Sequence, residues 1–281
     1  MGNEIKQMVH NCSACFEHLP AQPRQPLQQT FAKHPLEHTS ADLFSLQGKT
    51  YLAYVDRYSG MLWCDRLSST TTAAVTGLLD KWMFDSGFPN RIRTDGGPQF
   101  RGPFDDWCAT HHIVHELTSP YHPQSNGHAE SAVKSAKYLL DKVNANMNEF
   151  RSHLFAWRNT PRADGFSPAE MFFGRRLRTC LPSVRQADPV SLPDASTARD
   201  KTASDAKLRH DQHASQLSSL PPGSTVSVRH PKSGAWGDEP AAVESVREDG
   251  QSYNLTLPDG SQTVRNRKFL RPKQVQFEED N

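Results

Sequence analysis

Arg93-Thr94-Asp95-Gly96-Gly97-Pro98-Gln99-Phe100 ends a short strand-like run (91–94) and turns at once. The Gly-Gly-Pro that follows Asp95 cannot continue a ladder, so the carboxylate stands at the end of a strand. Working outward, Ser119-Pro120-Tyr121-His122-Pro123-Gln124-Ser125-Asn126-Gly127-His128-Ala129-Glu130 is a loop of turn residues that passes into a helical stretch, with Glu130 near its start. A third acid, Asp42, lies in the strand-like run 39–44. Two strands and a helix can bring three carboxylates together. Hard divalent cations take oxygen ligands, and a close metal pair can clamp the attacking and leaving oxygens of a phosphodiester. Taken singly, each acid reads as solvated surface, because Asp and Glu are mostly exposed. Their three local settings together favour the metal reading.

At these residues the chain resembles the integrase of retroviruses, and more closely that of gypsy-type LTR retrotransposons. The two stretches quoted above carry the resemblance, with a third block running from Thr160-Pro161 through Ser167-Pro168-Ala169-Glu170 to Phe173-Gly174-Arg175-Arg176. Asp95 and Glu130 are 35 positions apart, one fewer than the family pattern, and the missing residue falls in the turn at Arg101-Gly102-Pro103. The resemblance implies Asp42, Asp95 and Glu130 as catalytic residues and ligands of two magnesium or manganese ions. It implies Tyr121, Gln124 and Asn126 as DNA-binding residues of a mobile loop over the active site. It further implies 3′-end processing and strand transfer of element DNA, assembly as a homo-oligomer on two DNA ends, and nuclear location after passage through the cytoplasm.

The charge distribution suits such a role better than the net charge of +1. Residues 34–125 carry seven Lys/Arg against ten Asp/Glu, whereas 126–185 carry ten against five, and 262–273 carry five basic residues and no acid. An acidic centre beside basic segments fits a metal pocket flanked by phosphate-gripping surfaces. In the helix from about 126 to 143, Glu130, Lys134 and Lys137 stand at i, i+4 and i+7 and share a face. Either the lysines reach DNA phosphates or they form a surface ion pair. The family's basic residues at matching positions favour DNA. His115, His122 and His128 are set aside, since a magnesium site prefers oxygen.

The expected fold class is α/β: a ribonuclease-H-like mixed sheet with helices on both faces, followed by a small all-β barrel. Strand patterns at 50–56 and 61–67, a helix at 70–84, strand 91–94, a helix near 104–110 and a strand near 113–117 give the first part. Trp63, Trp82, Phe84 and Phe104 are assigned to its core. The ribonuclease-H-like name comes from the resemblance. Strands expected at 225–229, 241–247, 252–257 and 262–264, with the turn Pro258-Asp259-Gly260-Ser261, give the barrel. In the family this is a Src-homology-type barrel that binds DNA. The resulting division is 1–19, a shortened zinc module; 20–33, a Pro/Gln-rich linker; 34–182, the catalytic core; 183–220, a linker with a polar helix at 198–217; 221–273, the barrel; and 274–281, an acidic tail without fixed structure.

Cys12-Ser13-Ala14-Cys15 has the spacing of half a tetrahedral zinc site. The two histidines that the family sets upstream have no counterpart, and His10 is too close to the cysteines to replace them, so zinc is not expected to be held. Cys64, Cys108 and Cys180 read as packed thiols. No apolar run is long enough for a membrane span, and residues 1–10 lack a signal-peptide core. An inactive or domesticated DNA-binding derivative is the alternative, motivated by the shortened module and the shortened spacing.

Overall fold

The computed structural model describes residues 32–118, 127–179, 192–230, 233–247 and 250–273, with 8, 12, 15–16, 18–23 and 25–27 near the N-terminus. The chain divides into two compact units, residues 29–118 with 123–206 and residues 1–28 with 119–122 and 207–281.

The first unit is built on β1 (His38–Leu46), β2 (Lys49–Asp56), β3 (Leu62–Arg66), α1 (Thr72–Ser86), β4 (Arg91–Thr94), α2 (Pro103–Thr110) and β5 (Val114–Leu117). Helices α3 (Gly127–Lys142), α4 (Met147–Arg158) and α5 (Pro168–Phe173) follow. The sheet order is β3-β2-β1-β4-β5. The first three strands pair antiparallel through short turns, and β4 and β5 then add parallel through crossovers carrying helices. This is the mixed sheet expected from hairpins followed by strand–helix alternation.

Strand β2 shows why helices must cover both faces. Leu52 and Tyr54 point into a core closed by Val75, Leu79 and Met83 of α1 and by Phe104 of α2. Tyr51, Ala53 and Val55 point the other way, into a core closed by Ala132, Ala136 and Leu140 of α3 and by Phe150 of α4. Alternation with period two thus supplies an apolar row to each face. Thr71 starts α1 by accepting a hydrogen bond from the Ala74 N–H at 3.4 Å.

Phe84 corrects the core assignment. It is 73% exposed, whereas Trp82 and Met83 beside it are buried. It lies on the outward side of α1 and meets only the edge of Phe88, with ring centres 5.3 Å apart. Helices α4 and α5 were not anticipated. In α4 only Phe150 and Leu154 are buried, a stripe too thin to stand out as periodicity. Helix α6 (Leu192–Asp211) begins earlier than the 198 expected. Its start is anchored where Ala195 packs with Tyr58 and Met171, and where Arg199 lies over the Tyr58 ring at 4.6 Å.

The second unit is all-β: β6 (Thr225–Arg229), β7 (Trp236–Val246), β8 (Ser252–Thr256), β9 (Gln262–Asn266) and β10 (Leu270–Pro272), in the order β10-β6-β7-β8-β9. Strands β9 and β10 sit at opposite edges, yet only residues 267–269 join them, as one 3₁₀ turn. Four Cα–Cα steps span at most ~14 Å, whereas a flat five-stranded sheet is ~19 Å across. The sheet therefore curls on itself around Val226, Val243, Tyr253, Leu255 and Leu270. Residues read as module remnant and linker lie against this sheet. The Trp236 indole N–H donates to the Leu19 carbonyl at 3.0 Å, and the Gln251 amide donates to that of Pro26 at 2.8 Å. Arg271 stacks on Trp236 at 4.5 Å and on Phe16 at 5.9 Å.

Candidate active site

Asp42 sits mid-way along β1, opposite Ala53 of β2, and so faces the side of the sheet covered by α3. The parallel pairing of β1 with β4 runs from His38↔Arg91 to Ser40↔Arg93. Carried two residues further, that register sets Asp95 beside Asp42, one strand spacing of ~4.8 Å away. Glu130 lies in the first turn of α3, next to the buried Ala129. Ala129, Ala132 and Ala136 let the helix backbone approach the sheet closely, which brings Glu130 toward Asp42.

The three carboxylates share one electrostatic field. Burial first, then the charge of Asp95 and that of Glu130, pushes the Asp42 carboxyl up to about 6, while Lys137 and the Leu43 N–H pull it back. Among the described residues, no three His, Cys, Asp or Glu side chains converge closely enough to enclose an ion.

The turn after β4 is set in advance. The Asp95 carboxylate accepts the Gly97 N–H at 3.1 Å, and Phe100, fully buried, anchors the turn's far end. A Cβ on Gly97 would fall 2.3 Å from the Gln99 amide, so a larger residue there would displace the Gln99 side chain. Gly102, at φ +56°, opens α2 and gives its N–H to Asp105 at 3.0 Å. Below the end of β4, the other Asp105 oxygen meets His115 Nδ1 at 2.5 Å, and His115 Nε2 meets the buried Thr94 hydroxyl at 2.8 Å. His115 thus ties β5 and α2 to the residue before Asp95. Its isolated position in a four-residue strand gave no sign of that.

Of the DNA-contact candidates, Lys137 is half-buried with its Nζ 5.6 Å over the Phe44 ring, on the Asp42 side of α3, and Lys134 is exposed. Tyr121, Gln124 and Asn126 lie outside the described residues, as do Cys180 and the tail 274–281. Cys12 and Cys15 are exposed, and the Cys12 thiol raises that of Cys15 through a hydrogen bond. Cys64 and Cys108 are buried, where desolvation pushes the Cys108 thiol up to about 12.

Residues 32–123 match the integrase core domain family, a stretch that holds Asp42 and Asp95 and stops short of Glu130. The first unit is thus similar to retroviral integrase cores. An uncharacterised protein of Caenorhabditis elegans is 29% identical over 68% of this chain, which spans 16% of that relative. The Gag-Pro-Pol polyprotein of simian retrovirus SRV-1 is 28% identical over 57% of this chain, which spans 9% of the polyprotein. The integrase core and the sheet beyond it also share their fold with a chain of the simian T-cell lymphotropic virus intasome, solved with a PP2A regulatory subunit. That likeness has a TM-score of 0.64 at 18% identity and covers 98% of this chain and 92% of that one. The likeness gives the first unit a ribonuclease-H-like fold.

A pH test follows for this site. The folded Asp42 carboxyl titrates near 6, above its ordinary 3.8, so the stability it contributes is present below pH 4 and lost as pH rises through 6. Asp42→Asn removes that loss. Metal-free Asp42→Asn should gain about 1–2 kcal/mol at pH 7–8, a figure discounted for water around the partly exposed group. The gain should shrink toward zero as pH falls to 4. Melting curves from pH 4 to 8 check this, and an equal gain at every pH would mean that Asp42 is not held in the field of the other two acids.

Proposed function

We propose that this chain is a metal-dependent polynucleotidyl transferase that trims the 3′ end of element DNA and joins it to target DNA. The observation that carries this reading is the Asp42 carboxyl, raised by burial and then by the charges of Asp95 and Glu130, on the face where α3 presents Lys137. Asp42, Asp95 and Glu130 would hold two magnesium or manganese ions, whose chemistry is to activate the attacking oxygen and stabilise the leaving one. The rest falls to the chain itself. The prearranged turn at Gly96-Gly97 fixes the Asp95 carboxylate, and the Asp105–His115–Thr94 chain holds the strand end beneath it. Lys137, and Lys134 one turn before it, orient a phosphate over the carboxylates.

The double-stranded DNA partner, assembly as a homo-oligomer and a nuclear site of action belong to this same reading. Curated relatives are several times longer than this chain, and their remaining activities are not carried over. The test is joining of a duplex with a free 3′ hydroxyl to a plasmid by the purified chain, with and without magnesium. Absence of magnesium-dependent joining across several duplex ends would sink the catalytic reading and leave a DNA-binding derivative.

Lys134 and Lys137 give a separate prediction. Changing both to Ala should flatten the slope of log affinity against log salt by roughly one to two units, since each phosphate contact releases condensed counterions. The melting temperature should move little, because Lys134 is exposed and Lys137 gives up only its contact with the Phe44 ring. An unchanged salt slope with earlier melting would make both lysines structural.

A further inference from the structure

Arg57, just past the end of β2, is the least satisfied cation among the described residues. Its backbone N–H donates to the His38 carbonyl at 2.9 Å, which fixes the start of the side chain beside β1. Its guanidinium is buried, yet Nε and Nη1 have no hydrogen-bond partner. Burial and then the neighbouring charge of Arg93 lower it to about 10, against some support from Glu116. Glu116 is already engaged. It accepts from Arg91 at 3.0 Å and from Arg93 at 3.0 and 2.7 Å.

Three arginines thus face one carboxylate, with His38 at their margin, where burial and the Arg57 charge depress its imidazole. A buried guanidinium with orphan donors costs free energy unless an anion or a hydrogen-bond acceptor meets it. Strand parity sets the direction. Arg91 and Arg93 alternate with Ile92, which is in the α1 core, so they point to the opposite face of the sheet, as Asp95 does two residues on. Arg93 is therefore ~7 Å along the strand from Asp95. Arg57 itself stands beside His38, four residues from Asp42 on β1. A phosphate on it would lie ~13 Å from the carboxylates, more than one nucleotide step along a strand.

We infer that Arg57, with Arg91 and Arg93 around Glu116, forms a subsite for a backbone phosphate of the DNA strand that enters the catalytic face. The inference rests on the DNA-joining reading and adds to it a gripping point on the sheet itself, separate from the lysines of α3. Arginine suits the task, because its planar fork matches phosphate oxygens and it loses little hydration on burial.

The test uses the full chain, with Arg57→Met and Arg57→Lys. Melting is followed in chloride and in inorganic phosphate at matched ionic strength, and short-duplex affinity is followed against salt. Arg57→Met should melt at or above the parent in chloride, because it removes an uncompensated buried charge. It should lose the rise in melting temperature that phosphate gives the parent, bind duplex about tenfold more weakly, and show a salt slope flatter by about one unit. Arg57→Lys should fall between the two. Phosphate responses and salt slopes equal in parent and Arg57→Met would overturn the subsite, as would earlier melting of Arg57→Met in chloride with unchanged duplex binding. If the parent binds no duplex while its phosphate response still depends on Arg57, the DNA reading is what fails, and the pocket takes free phosphate instead.

Discussion

Strand transfer by the Asp95→Asn protein is expected to fall by roughly three orders of magnitude, a loss of about 4 kcal/mol of transition-state stabilisation. The amide has the shape of the carboxylate, and its oxygen can still accept the Gly97 N–H that shapes the turn. What disappears is the charge that, on the proposed reading, would bind the cation. The fold should therefore persist, and melting should stay level or rise, since Asp95 is the main charge opposing ionisation of Asp42. A shift of the Asp42 titration toward the ordinary range in Asp95→Asn would show the same coupling without any activity measurement. Glu130→Gln should behave alike in the assay, with a smaller effect on Asp42, because its charge ranks below that of Asp95. Joining near the parent rate by either variant would defeat the assignment of that residue.

The second large effect concerns stability. Trp236 is 1% exposed, packs against Arg271, and donates its indole N–H to the Leu19 carbonyl. Trp236→Ala deletes that volume, the cation–π contact and the bond to the N-terminal segment, a loss of about 3–5 kcal/mol. A five-stranded sheet with so few core residues has little more stability than that to lose. Amide exchange should then show residues 225–272 unprotected, while β1, β2 and β4 keep their protection. Removing residues 1–27 should weaken the same sheet by less. Full protection of residues 225–272 in Trp236→Ala would mean that the indole is peripheral to this unit.

Much of the first unit could be read directly. The alternation Tyr51-Leu52-Ala53-Tyr54-Val55 sends rows to both faces, and helices with a full apolar stripe, such as α1 and α3, announce themselves by spacing. The turn after Asp95 was also legible, because Gly-Gly-Pro allows few conformations. Phe84 was misread because a residue's type does not tell which side of a helix the sheet will meet. α4 was passed over because two buried residues make no period.

By itself, then, the sequence determined the strand and helix succession of the core, the three acids and their settings, and the resemblance to integrases. These are local signals, written in periods of two and 3.6 and in turn residues whose conformations are restricted. Only the tertiary structure decided that the Asp42 carboxyl is raised, that His115 ties α2 and β5 to the end of β4, and that Arg57 is buried without a side-chain acceptor. It alone decided that residues near position 20 lie against a sheet that begins at 225. Those outcomes depend on which distant groups share a small, poorly solvated volume. Burial and charge add there across the fold, and no local pattern records the sum.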